Sequence, residues 1–127
     1  MFKWRHLMKI AITTSGDNLD APLDSRFGRA ARFLIYDTDT KEVQSIDNTQ
    51  NLNAAQGAGI QSAQTVVNAG ATALVTGHCG PKAFRVLHAA GIKVYNCETA
   101  TVGEALGLLK EGKLQLATSA DVEGHWL

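Results

Sequence analysis

The segment Ala73-Leu74-Val75-Thr76-Gly77-His78-Cys79-Gly80-Pro81 constrains this chain more than any other, because a short apolar run ends there and a helix-start signal follows at once. Ala73-Leu74-Val75 reads as a buried strand. Gly80 and Pro81 suit the N-cap and first helical position, where proline lacks only an N–H that has no intrahelical partner anyway. A strand that runs into a helix in this way belongs to an α/β sheet, whose ligands bind beyond the carboxyl ends of the strands. The turn carries an imidazole and a thiol beside helix amides that favour anions, so it is the first candidate for a ligand site.

The remaining segments supply neighbours for that unit. Met8, Ile10 and Ile12 alternate with Lys9, Ala11 and Thr13, the period of a strand, and Ser15-Gly16-Asp17-Asn18 ends it. After a long loop to Ala30, Phe33–Tyr36 and Glu42–Ile46 read as two strands of a hairpin around the polar turn 37–41. From Gly57 the period becomes helical. Ile60, Ala63, Val66 and Val67 mark one face of a first helix that closes at Gly70. A second helix starts at Pro81, shows Phe84, Leu87 and His88 along a face and stops at Gly91, before the strand Ile92–Tyr95. In the third helix Thr101 and Glu104 form a capping box ahead of Leu106, Leu108 and Leu109, and Gly112 closes it.

Strands joined through helices run parallel, whereas the first three can pair antiparallel. The expected fold is therefore α/β, a ribonuclease H-like mixed five-stranded sheet of order 3-2-1-4-5 with three main helices. At 127 residues and 45% hydrophobic content, the chain suits one domain. Residues 8–127 are expected to form it, with 1–7 as a disordered extension and an irregular tail from about 117.

Charge and cysteine content exclude several classes. Twelve Lys and Arg balance twelve Asp and Glu, so nothing resembles the electrostatic footprint of a nucleic-acid binder. No apolar run has membrane-spanning length, no signal-peptide core follows the basic leader, and the two cysteines make no disulfide framework. A cytoplasmic protein with no nucleic-acid or membrane partner is expected.

Three groups of residues could carry chemistry. His78, Cys79 and Cys97 follow the ends of two parallel strands and could converge on one sheet edge, where thiolate and imidazole suit soft metals and iron–sulfur clusters. Against this, the spacing forms no CxxC pair, and free cysteines are often simply buried. The loop Asp24-Ser25-Arg26-Phe27-Gly28-Arg29-Ala30-Ala31-Arg32 sets three arginines at three-residue intervals around a glycine, a pattern suited to anions. The competing reading is a solvated loop in which Arg26 pairs with Asp24. Gly57-Ala58-Gly59 opens a helix with bare backbone, a weak anion signal without GxGxxG or a Walker lysine. His125-Trp126 in the tail is a further ligand or lid candidate.

Catalytic sets are missing. A two-metal nuclease needs carboxylates at the strand edges, yet these strands read Ile10-Ala11-Ile12-Thr13 and Ala73-Leu74-Val75-Thr76. Ser15 and Ser25 lack a histidine and acid arranged around them, and Asp17, Asp20 and Asp24 all fall in one loop. The expectation is a protein that is not an enzyme.

The same segments resemble the dinitrogenase iron–molybdenum cofactor biosynthesis family, which includes NifX and the C-terminal domain of NifB. The resemblance rests on Asp24–Ala30, Gly57-Ala58-Gly59-Ile60, Thr76–Phe84, Ala90–Tyr95 and Gly124-His125-Trp126, and spans nearly the whole chain. It implies a ribonuclease H-like domain that carries the iron–molybdenum cofactor, its iron–sulfur precursor or a related molybdenum-containing cluster, as in the related orange protein, in anaerobic metabolism such as nitrogen fixation. The radical-SAM portion of a complete NifB is not in this sequence, so the implied role is carrying and not building. The implied cofactor-binding residues are Arg26, Phe27, Gly28, Arg29, Gly57, Gly59, Gly77 and Gly80, and the metal candidates are His78, Cys79, Cys97 and His125. Implied partners are cluster-biosynthesis or nitrogenase-related proteins. The alternative is a regulatory interaction module without a bound cluster.

Overall fold

A computed structural model describes residues 7–48, 58–98 and 101–117. In chain order the elements are β1 (Lys9–Thr14), β2 (Arg32–Asp37), β3 (Val43–Asp47), α1 (Ala58–Asn68), β4 (Ala73–Thr76), α2 (Pro81–Ala89), β5 (Lys93–Asn96), α3 (Val102–Lys110) and β6 (Gln115–Leu116), with a 3-10 turn at Phe27–Arg29. They form one mixed sheet of order β3-β2-β1-β4-β5-β6. The expected order 3-2-1-4-5 is present, and a short sixth strand extends it. β6 runs antiparallel to β5, pairing Tyr95 with Leu116 and Asn96 with Gln115. Two residues are too few to show a periodicity, which is why the sequence does not announce it.

β1 is antiparallel to β2 and parallel to β4, with Ile12 opposite both Leu34 and Val75. Parallel β4 and β5 are joined through α2. Because alternate residues of a strand face opposite ways, the core divides in two. Ile10, Ile12, Leu34, Val75 and Tyr95 face α3, together with Val102, Ala105, Leu106 and Leu109. Ala11, Phe33, Ile35, Leu74 and Val94 face α1 and α2, together with Ala63, Val66, Ala83 and Leu87. Helices cover both faces, so β1 is buried from Ile10 to Thr14 and not on alternate residues. Burial also raises the pKa of the Tyr95 phenol.

Several local readings shift. Met8 lies outside β1, 60% exposed and with φ 62, whereas Leu7 is 2% exposed within the α3-side core. The domain thus reaches one residue into the stretch assigned to the extension. Ile60 is exposed, because the buried face of α1 is set by Ser62, Ala63 and Val66. Ser62 is tolerated there through hydrogen bonding with Asn48 at 3.1 Å. Glycines close each helix in the left-handed region, at Gly70, Gly91 and Gly112. Among the described residues no helix is long and apolar enough to cross a membrane.

Candidate functional site

The long loop after β1 does not hang free. It folds back over the carboxyl ends of β1 and β4 and is pinned there by threonines. Thr13 donates its hydroxyl to the Asp24 carbonyl at 2.6 Å and lies 2.9 Å from the Thr76 hydroxyl, while the Asp24 amide donates to the Thr13 carbonyl at 2.9 Å. The Thr14 hydroxyl donates to the Pro22 carbonyl at 2.7 Å and accepts from the Gly16 amide at 3.1 Å. These strand ends, where a two-metal nuclease would place carboxylates, serve to hold the loop.

Beyond Asp24 the loop pairs in parallel with the turn that follows β4. The His78 amide donates to the Ser25 carbonyl at 2.7 Å, and the Phe27 amide donates to the His78 carbonyl at 3.1 Å, so Arg26 and His78 form an isolated bridge. Gly77 makes this approach possible. A Cβ on it would stand 2.7 Å from Ser25 Cα and 2.8 Å from the Ser25 carbonyl oxygen, distances that require the backbone to move. The turn is tied to the neighbouring strand by Asn96, whose side chain donates to the Gly77 carbonyl at 3.2 Å.

The side chains then separate into solvent-facing and structural groups. Arg26 is 68% exposed, 3.7 Å from Asp24, whose carboxylate also accepts the Arg26 amide at 2.9 Å. Both sequence readings of the loop therefore have a counterpart: Asp24 turns the backbone, and the guanidinium remains largely in water. Arg29 and Gly28 are half-buried on the 3-10 turn. Phe27, which the resemblance implies as a binding residue, is 2% exposed and packs on Phe33 at 5.6 Å between ring centroids. It anchors the loop in the core. Gly59 also has a packing duty, since its Cβ would stand 3.3 Å from that of Ala83 on α2.

His78 is half-buried, with Nε2 3.7 Å from a Glu98 carboxylate oxygen. Cys79 and Cys97 do not converge with each other, although Cys97 lines the same recess as His78. Cys79 belongs to the α1/α2-side core and Cys97 to the α3-side core, so the sheet lies between their environments. Both are almost fully buried, and the Cys79 thiol lies 3.8 Å from the Gly80 carbonyl. Spacing along the sequence could not show this, because strand parity decides which face each turn residue joins. Among the described residues no three His, Cys, Asp or Glu side chains form a group able to hold a metal ion. Gly57 and His125 lie outside the described residues.

The start of α2 lies open at this edge. Gly80 is its N-cap with no side-chain hydrogen bond, Pro81 is the first helical residue, and no acidic residue occupies the first turn. Among the described residues nothing stands within 4 Å of the position a Gly80 Cβ would take. Around the turn on the α3 side is a recess of about 460 Å³, lined by Gly77, His78, Asn96, Cys97, Glu98 and Lys113 among others. Asn96, Glu98 and Lys113 had no motif to mark them, and the pairing of β5 with β6, which follows α3, brings Lys113 beside the other two. Guanidinium groups, an imidazole and helix amides on an open edge can bind an anion larger than a single ion.

Comparison with known proteins bears on the family and the fold. The model of the family described as dinitrogenase iron-molybdenum cofactor matches residues 8–112. The apo form of the orange protein from Desulfovibrio gigas superposes with a TM-score of 0.89 at 41% identity, covering 92% of this chain and 98% of that one. A candidate NifB protein from Thermotoga superposes with a TM-score of 0.80 at 38% identity, covering 91% and 98%. An uncharacterized protein of Methanocaldococcus jannaschii is 35% identical over 112 residues, 86% of this chain and 91% of the relative.

Proposed function

The chain belongs to the dinitrogenase iron-molybdenum cofactor family, and on that premise we propose that it binds, stores or hands on an anionic metal–sulfur cluster without chemical turnover. The observation that carries this reading is the parallel pairing of loop and turn, which holds Arg26 beside His78 at the uncapped start of α2. Arg26 and Arg29 supply charge and forked donors, and Gly28, Gly77 and Gly80 keep the backbone accessible. His78 is the metal candidate within reach of solvent.

The residues fit such a cargo. The donor set is cationic or neutral, apart from Asp24 and Glu98 at its margins, and Gly80 leaves space where a side chain would stand. Cys97 borders the recess and would be the second metal candidate, whereas Cys79 would require the α1/α2 core to open. Candidate cargoes are the iron–molybdenum cofactor, its iron–sulfur precursor and a related molybdenum–sulfur cluster. Nitrogenase-related or cluster-biosynthesis proteins are the corresponding donors and acceptors, and the setting is an anaerobic cytoplasm.

Anaerobic purification followed by metal, sulfide and visible-absorption measurements tests the reading. The expected result is a coloured preparation, or a colourless one that takes up supplied iron–molybdenum cofactor or tetrathiomolybdate. Repeated metal-free preparations that reject both would overturn it in favour of a regulatory interaction module.

A further inference from the structure

The two edges of the sheet differ in length. β6 ends one side with two residues, whereas β3 ends the other with five, Val43-Gln44-Ser45-Ile46-Asp47. Open edges offer amides and carbonyls to any other strand, and proteins normally guard them with proline, a bulge, a central lysine or a covering segment. β3 carries neither proline nor lysine, and its register with β2 runs unbroken from Val43 opposite Tyr36 to Asp47 opposite Arg32. Val43, Gln44, Ser45 and Asp47 are exposed, so the edge is not covered either.

Hydrogen bonds at the two ends of the hairpin show which groups of β3 point outward. The Asp37 amide donates to the Glu42 carbonyl at 3.0 Å, and the Asn48 amide donates to the Ala31 carbonyl at 2.8 Å. Even-numbered residues therefore turn their backbone toward β2. Alternation along an antiparallel strand then directs the amides and carbonyls of Val43, Ser45 and Asp47 away from the sheet.

We propose that a second copy of this chain closes this edge, β3 pairing antiparallel with β3 about a two-fold axis at Ser45. In that register Ser45 meets Ser45, Val43 meets Asp47 and Gln44 meets Ile46. All three outward residues of each strand then enter hydrogen-bonded pairs, making about six main-chain bonds. The charges fit as well. Asp47 stands opposite Val43 and Glu42 opposite Asn48, so no like charges face each other, and Lys41 of one copy lies diagonal to Asp47 of the other, within reach of a long side chain. The strand is its own complement, and the pairing uses up both long edges at once, so association stops at a dimer. Because β3 runs in the same direction as β1, the two candidate cluster sites lie at opposite edges of the joined sheet and both stay open.

The test uses the full chain without any cluster, so it succeeds or fails independently of the cargo reading. Sedimentation should show a reversible dimer whose share rises with protein concentration. Ser45→Lys puts two ammonium groups face to face on the axis and should weaken the dimer at least about tenfold at an unchanged thermal midpoint. Ser45→Cys should give a disulfide-linked dimer on mild oxidation, since residues paired in this way have Cα atoms about 5.5 Å apart, within the span of a disulfide. Val43→Cys should not, because its two copies stand about 14 Å apart. Cys79 and Cys97 are almost fully buried, so the parent serves as the blank. A parent that remains monomeric at every concentration, a dimer untouched by Ser45→Lys, or cross-linking of Val43→Cys as fast as that of Ser45→Cys would each overturn the proposal.

Discussion

The starts of α2 and α3 are the same local construction put to different ends. Each follows a parallel strand at the same edge of the sheet, and each stands beside the loop after β1. At α3 every early donor is engaged: the Val102 amide donates to Ala21 at 2.9 Å, the Gly103 amide to Leu19 at 2.8 Å and the Glu104 amide to the Thr101 hydroxyl at 3.2 Å. Glu104 adds a negative charge where the helix dipole favours one. At α2 the N-cap is glycine, the first residue is proline and no acid is nearby in the first turn. One terminus is completed by the chain itself, and on the proposed reading the other is where the anionic cargo sits.

The largest expected effect comes from removing the close approach that the open terminus depends on. Gly77→Ala drives a Cβ into Ser25 and should cost about 1–3 kcal/mol or more, because backbone and not a flexible side-chain end must yield. Thermal unfolding should show the loss, and uptake of tetrathiomolybdate should fall with it. A midpoint equal to that of the parent would mean that the loop is not held as described.

Next in size is the paired change Arg26→Ala and Arg29→Ala, which leaves the fold alone and removes charge from the open edge. Cluster or tetrathiomolybdate retention should weaken about tenfold, some 1.4 kcal/mol, with lysine replacements restoring part of it. Unchanged retention would remove both arginines from the site. His78→Ala should in addition alter the absorption of whatever cluster remains, whereas Cys79→Ala should lower stability and leave that absorption as it was.

Thr101→Ala sharpens the contrast from the other side. It deletes the side-chain cap of α3 and should lower stability by about 1 kcal/mol while cluster uptake stays constant. Equal loss of uptake would show that the two termini are not separate in function. The smallest effect in stability is the most diagnostic. Gly80→Asp gives α2 the cap it lacks at a position with free space, and should change stability by only a few tenths of a kcal/mol in the favourable direction. The same change should lower anion uptake, since a carboxylate then occupies the terminus. Increased stability without lost uptake would place the cargo elsewhere, with the recess beside Asn96 and Lys113 the next location to probe.

Much of this was legible from residues alone. The capping box at Thr101 and Glu104, the glycine stops at Gly70, Gly91 and Gly112 and the proline start of α2 all follow from local chemistry, because caps, turns and periodicity act over a few residues, and the order of the first five strands follows from how such elements connect. The arginine loop and the Gly77–Gly80 turn were likewise visible as candidates from their composition. Their meeting was not. Arg26 reaches His78 only because buried threonines on β1 and β4 hold the loop down, and a sequence does not record which hydroxyl bonds which carbonyl across 63 positions, as Thr13 and Thr76 do. The separation of Cys79 from Cys97 was equally undecided, since it depends on the strand parity and on helices covering both faces. The sequence by itself determined where helices and strands begin and which ends are left uncapped. Tertiary structure decided which of those ends share an edge, because long-range packing sets the faces and distances on which binding depends.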